Sequence, residues 1–150
     1  MPWQYLYRAI DRDGNLVDAR LSATRDLTAA EAFFRSAWAV TGVTPDRITT
    51  DGHDAYPRAI RNIFGDWVLH RTNRHLNNHL EQDHRGIKQR YRPTCGLKTF
   101  ATAVRFCHCF EEIRAFLRPQ SHRNQPLTLA QRRRTHQERF TQLMGIIAAA

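Results

Sequence analysis

A chain of 150 residues is long enough to bury a single core, and 41% hydrophobic with 10% aromatic residues is too apolar for a disordered tail. The net charge of +9 belongs to one half: residues 1–70 carry eight Arg against nine Asp/Glu, and residues 71–150 carry fifteen Lys/Arg against five Asp/Glu, an oriented excess that points to a polyanion such as nucleic acid. No run approaches the ~20 apolar residues that span a bilayer, Met1-Pro2-Trp3-Gln4 has no export-signal character, and three cysteines are read as free thiols of a cytoplasmic chain rather than a disulfide framework.

In chain order, Trp3 to Ile10 alternates aromatic and polar residues and predicts a strand, with Trp3, Tyr5 and Tyr7 on one inward face. Asp11 to Asn15 is turn chemistry around Gly14, and Leu16 to Leu21 returns as the second strand of a hairpin. Thr28 and Glu31 have the spacing of a capping box opening a helix through Ala29, Phe33, Ala37 and Val40, which Gly42 ends and Pro45 keeps ended. Arg47 to Thr50 predicts a third strand running into Asp51, broken by Gly52. A helix with Ile60 and Phe64 on one face starts at Tyr56-Pro57 and closes at Gly65. Trp67 to His70 reads as a fourth strand, 78–91 as a helix, 99–117 as a long helix and 129–144 as an arginine-heavy last one. The order is α/β with an antiparallel beginning, and it contains no glycine fingerprint of a dinucleotide fold or phosphate loop.

Two acids stand out by position. Asp51 ends a strand, where ligands gather in α/β sheets because the backbone opens into loops. Glu81 opens a helix on which Arg85 and Lys88 follow at spacings that share its face. A carboxylate for a divalent cation beside two cations for phosphates suits phosphodiester chemistry. From spacing alone, the bland alternatives stay open: Asp51 as the cap of the next helix, and Glu81–Arg85 as a surface ion pair.

The strings Trp3-Gln4-Tyr5-Leu6-Tyr7-Arg8-Ala9-Ile10-Asp11, Ile48-Thr49-Thr50-Asp51-Gly52-His53 and Asn77-Asn78-His79-Leu80-Glu81-Gln82-Asp83-His84-Arg85-Gly86-Ile87-Lys88 resemble, in order, successive blocks of the DDE transposases of the IS-six (IS-twenty-six-like) group of bacterial insertion sequences. The resemblance runs from about Trp3 to Arg118. It implies an RNase-H-like (integrase-type) core at 1–118, a mixed sheet flanked by helices, followed by a basic linker and helix at 119–150. It also implies DNA strand cleavage and joining with Mg²⁺ or Mn²⁺, two ions in an intact enzyme. Asp51 and Glu81 would be catalytic metal ligands, and Lys88 would contact DNA beside the scissile phosphate. Arg85, His53, Arg74, Arg90 and Arg92 join the expected DNA contacts, with the Arg132-Arg133-Arg134 run as a further phosphate patch. A homo-oligomer assembled on DNA is the expected partner state.

The family's first aspartate lies on a strand just before the tryptophan block, which here begins two residues after Met1. The expectation is therefore a core lacking its first strand, with unpaired backbone edges, and a chain inactive alone for want of the first acid. The alternative reading is a non-catalytic DNA-binding fragment that interferes with intact transposase. The interval from Asp51 to Glu81 is also a few residues shorter than the family's commonest spacing. Cys107, His108 and Cys109 do not have the C-x₂₋₄-C pairing of a zinc site and read as helix packing.

Overall fold

The computed structural model describes residues 4–73, 85–87, 89–90, 97–120, 122 and 124–150. Its elements are β1 (Tyr5–Ile10), β2 (Leu16–Ser22), α1 (Leu27–Thr41), β3 (Arg47–Thr50), α2 (Ala55–Phe64), β4 (Leu69–Thr72), α3 (Phe100–Leu117) and α4 (Leu129–Ala149). Residues 85–87 and 89–90 are also helical.

The hairpin forms as expected, because Asp11 organises its turn. One carboxylate oxygen accepts the Asp13 and Asn15 amides, each at 2.8 Å, and the other accepts the Asn15 side chain at 2.9 Å, while Gly14 takes φ 84°. β1 and β2 pair antiparallel with an irregularity at Ala9/Ile10. β3 and β4 pair parallel, Arg47 against Leu69 through Thr50 against Thr72. The expected single mixed sheet is thus two two-stranded sheets among the described residues. No hydrogen-bonded strand connects them there, so side-chain packing sets their relation.

That packing is largely aromatic. Tyr7 of β1, Phe33 and Phe34 of α1, Ala59 and Ile60 of α2, and Val68 before β4 are buried in one cluster, with Tyr56 and Phe64 packed against it. Tyr7 meets Phe33 at 5.5 Å and Tyr56 edge-on at 6.3 Å, and Phe34 meets Tyr56 and Phe64 edge-on, each at 6.0 Å. The inward aromatic face expected of β1 holds at Tyr7, whereas Tyr5 is exposed; Trp3 lies outside the described residues.

Three local expectations are corrected. The helix α1 is capped by Asp26, whose carboxylate accepts the Ala29 amide at 2.8 Å. Thr28 is already inside the helix, and Glu31 instead accepts from the Asn62 side chain at 2.6 Å, tying α1 to α2. An aspartate two residues earlier outcompetes the threonine because its charge suits the helix N-terminus. The fourth strand begins at Leu69, and Trp67 is 94% exposed; β-propensity misplaced it because pairing with β3 sets the start. Val40 faces solvent rather than the core.

A buried ion pair fastens α3 to the hairpin. Arg8 and Glu111 meet at 3.1 Å, each side chain 3% exposed, and burial together with Glu111 pushes the Cys107 thiol pKa up. Cys107 is buried and Cys109 exposed, so these two cysteines point different ways, as helical geometry requires. Cys95 lies outside the described residues. The Arg139 guanidinium donates to the Phe116 and Arg118 carbonyls at 2.7 and 2.9 Å, joining α4 to the end of α3. No helix among the described residues is long and apolar enough to cross a membrane.

Removing one partner of a buried pair strands the other charge. Glu111→Ala is expected to destabilise the chain by about 3–5 kcal/mol in urea melts, while replacing Arg8 and Glu111 together by Met and Leu recovers much of that loss. A second prediction concerns His70, whose Nε2 lies 2.9 Å from the Thr50 hydroxyl across the parallel pair. Burial lowers its pKa below the ordinary 6.5. The unfolded chain therefore takes up this proton first, and stability present above pH 6.5 falls as pH drops toward the folded value. Urea melts above and below pH 6.5 should show that loss, reduced in His70→Gln.

Candidate functional site

The β3–β4 ladder ends where the Asn73 amide donates to the Thr50 carbonyl at 3.0 Å. Directly after Thr50 the chain turns out of the sheet at Gly52, with φ 91°. A Cβ there would lie 2.6 Å from the Thr72 methyl carbon, so the neighbouring strand demands glycine by contact as well as by conformation. Asp51 is thereby presented at the carboxyl end of β3. Its Oδ1 accepts the His53 amide at 3.3 Å and its Oδ2 accepts Arg25 Nη2 at 2.7 Å.

Arg25 stands in the connection between β2 and α1, so this ion pair joins the hairpin side of the molecule to the β3 side. Both members line a cleft of about 370 Å³ with Gln4, Tyr5, Leu6, Tyr7, Tyr56 and Ile87. Tyr5, Leu6 and Tyr7 are consecutive in a strand and would point to alternate faces. Their common presence shows that the cleft runs along the edge of β1, where no strand pairs among the described residues.

The cleft sets Arg25 and Asp51 among tyrosines and apolar side chains. Burial and the neighbouring Tyr56 push the Tyr7 phenol pKa up to about 12, and its buried hydroxyl has no hydrogen-bond partner among the described residues. Burial and the Asp51 charge likewise raise the Tyr56 pKa, while Arg25 opposes them. Burial alone would lower the Arg25 pKa, but Tyr56 and Asp51 outweigh it and the net shift is upward. At neutral pH the Tyr7 and Tyr56 phenols are therefore neutral and the Arg25 guanidinium beside Asp51 is charged.

The expected site residues are distributed unevenly. Asp51 is not the cap of α2: the N-cap is Asp54, and the Ala55 amide donates to His53 Nδ1 at 3.3 Å. That contact and an edge-on packing against Tyr56 at 5.7 Å employ the His53 ring locally. Ile87 brings the helical residues 85–87 to the Asp51 cleft, and Arg85 is exposed on that segment. Arg90 lies over the Phe110 ring of α3 at 5.4 Å. Arg132, Arg133 and Arg134 are exposed on α4, which buries none of its residues. Glu81, Lys88, Arg74 and Arg92 lie outside the described residues. Those described contain no group of three or more His, Cys, Asp or Glu able to hold a metal ion. Sequence reasoning missed Arg25, Tyr56 and Tyr7 as site residues; an arginine beside a helix cap has no local signature, Tyr7 read as core, and Tyr56 read as the start of a helix.

A family model described as a DDE domain matches residues 2–120. The chain belongs to the DDE transposase family of bacterial insertion sequences. This DDE domain is 33% identical over 111 residues to the transposase for insertion sequence-like element IS431mec of Staphylococcus aureus strains Mu50 and N315. It is equally similar to the transposase for insertion sequence element IS257 in transposon Tn4003 of the same species. Each alignment covers 71% of this chain and 49% of the relative, so the chain spans about half the length of the curated relatives it matches. No solved structure matches it. The matched region contains the IS-six blocks read from the sequence, and Asp51, Arg25 and all three cleft tyrosines fall within it.

Gly52→Ala places a side chain on a positive-φ residue against Thr72. It is expected to cost about 1–3 kcal/mol and to shift the Asp51 loop, measurable as a lowered melting temperature with amide shifts centred on Thr50 to His53.

Proposed function

We propose that this chain is a part of an insertion-sequence transposase catalytic core whose Asp51 and Glu81 hold divalent ions against a DNA phosphate. The observation that carries the reading is the presentation of Asp51 at a strand's carboxyl end, in a cleft, inside a region that matches a DDE domain. Ile87 supports it, since the helical segment following Glu81 reaches the same cleft. The chemistry of the donors fits Mg²⁺ or Mn²⁺, which take carboxylate and other hard oxygens: the Asp51 carboxylate lines the cleft with its side chain 43% exposed. Asp51 and Glu81 would hold such ions, whose chemistry would be to activate an attacking hydroxyl and stabilise a leaving oxyanion. The protein's own contribution is position: the β3–β4 ladder fixes Asp51, Gly52 turns it outward, and cationic side chains meet the DNA backbone.

On this reading the fold is an RNase-H-like core over residues 1–118. The free edge of β1 and the parallel pair β3–β4 are two parts of a mixed sheet flanking the position of one further strand. Asp51 is the one carboxylate among the described cleft residues, and with Glu81 it makes a pair. A third acid would complete a two-ion site. Residues 119–150 are a basic linker and helix whose Arg132, Arg133 and Arg134 meet phosphates together with Lys88, Arg85, Arg74, Arg90 and Arg92. The substrate is DNA, insertion-sequence ends and target alike, engaged by an oligomer of this chain's parent on the cytoplasmic nucleoid.

Calorimetric titration with Mn²⁺ tests the metal assignment. Heat of binding is expected for the wild type and its loss for Asp51→Asn; identical heats would remove Asp51 from the ion site. DNA binding by α4 is tested by its salt dependence. Replacing Arg132, Arg133 and Arg134 together with Ala is expected to reduce the log–log slope by about 1–3, roughly 0.9 for each phosphate no longer neutralised, and an unchanged slope would exclude the patch.

A further inference from the structure

The Asp51 carboxylate already has a cation. Arg25 reaches it from the opposite side of the cleft at 2.7 Å, a distance of direct charge-assisted hydrogen bonding. The two side chains are 35% and 43% exposed, and a pair this open to water adds little to stability. The aromatic cluster already positions the elements that carry them, so fold maintenance is a weak explanation for the contact. Its electrostatic consequence is larger. The guanidinium occupies Oδ2 while the His53 amide occupies Oδ1, and the Tyr56 hydroxyl lies against the same guanidinium and favours its charge. A divalent ion approaching Asp51 meets an engaged carboxylate and a fixed positive charge.

We propose that Arg25 is the resident counter-ion of this site, occupying the Asp51 carboxylate in the ion-free chain and yielding it to the divalent ion, so that its charge sets how tightly the ion is held. The proposal rests on Asp51 as an ion ligand, as argued above, and goes beyond it by giving a role to Arg25 and to the Tyr56 hydroxyl that steadies it. Arg25 is a positioning residue acting through Asp51. Displaced from the carboxylate, the guanidinium stays in the cleft with Tyr7 and Tyr56, where the N–H donors not held by Tyr56 are available to a phosphate oxygen.

The test is Mn²⁺ alone, titrated into the full chain and followed by the electron paramagnetic resonance signal of the free ion. Arg25→Gln is expected to bind Mn²⁺ about tenfold more tightly, because a unit charge at contact distance is removed. Arg25→Lys keeps the charge and should stay near the wild-type affinity. Asp51→Asn should abolish binding in the wild-type and Arg25→Gln backgrounds alike. A purely structural Arg25 predicts weaker or unchanged binding in Arg25→Gln; with binding still lost in Asp51→Asn, that result overturns the proposal and leaves the metal assignment standing. Unchanged binding in Asp51→Asn overturns both. Absence of binding in both the wild type and Arg25→Gln also overturns the proposal. Thermal melts of each variant report folding separately; a low-melting Arg25→Gln is replaced by Arg25→Met, which also removes the charge while keeping an apolar stem and should tighten binding in the same direction.

Discussion

Burial of Tyr7, Phe33 and Phe34 against α2 is the constraint on which the rest of the structure depends. No hydrogen-bonded strand joins the hairpin to the parallel pair among the described residues, so neither sheet fixes the other through backbone geometry. The aromatic rings do so instead: Tyr7 comes from the hairpin, Phe33 and Phe34 from α1, and Tyr56 from the first turn of α2. Edge-to-face contacts restrict both distance and angle, which aliphatic packing does less strictly. The meeting of Arg25 with Asp51 across the cleft follows from that arrangement, because each is carried by a backbone segment adjoining the cluster.

The arginines of this chain divide into two kinds by environment. Arg8 is buried against Glu111 and holds α3 on the hairpin, while Arg139 supplies donors to the last carbonyls of α3, which helical geometry leaves without partners. Those residues answer requirements internal to the fold. Arg132, Arg133 and Arg134 face solvent on a helix with no buried residue, so their charge is directed outward. Of the basic residues of the second half, Arg139 is therefore employed within the fold while Arg132, Arg133 and Arg134 form a surface field. Net charge alone does not separate these, since it counts Arg139 bound to carbonyls and an exposed guanidinium alike.

At the site itself, two short-range features of different origin coincide. Gly52 is required by the approach of Thr72 from the parallel strand, and it makes Asp51 leave the sheet. Arg25 lies next to Asp26, the cap of α1, so the start of that helix also sets the position of the guanidinium. A helix cap and a strand terminus, far apart in sequence, thus place opposite charges together beside phenols that partial burial keeps neutral.

The hairpin, the ends of α1 and α2 at Gly42 and Gly65, and the position of Asp51 at the end of β3 were legible from residue order, because turns, glycine stops and β-branched runs act over a few neighbouring residues. The family blocks were legible for a related reason: they are contiguous strings. The capping box at Thr28 and the strand at Trp67 were misread, since a neighbouring aspartate and an inter-strand register prevailed over local preference. By itself the sequence determined the elements, the charge asymmetry and Asp51 as a ligand candidate. Only the tertiary structure decided that the sheet stands as two pairs among the described residues, that Tyr7 is buried beside the cleft, and that Arg25 rather than a nearer cation meets Asp51. These depend on packing between segments 20 or more residues apart, and no local pattern encodes which distant side chains will share a cavity.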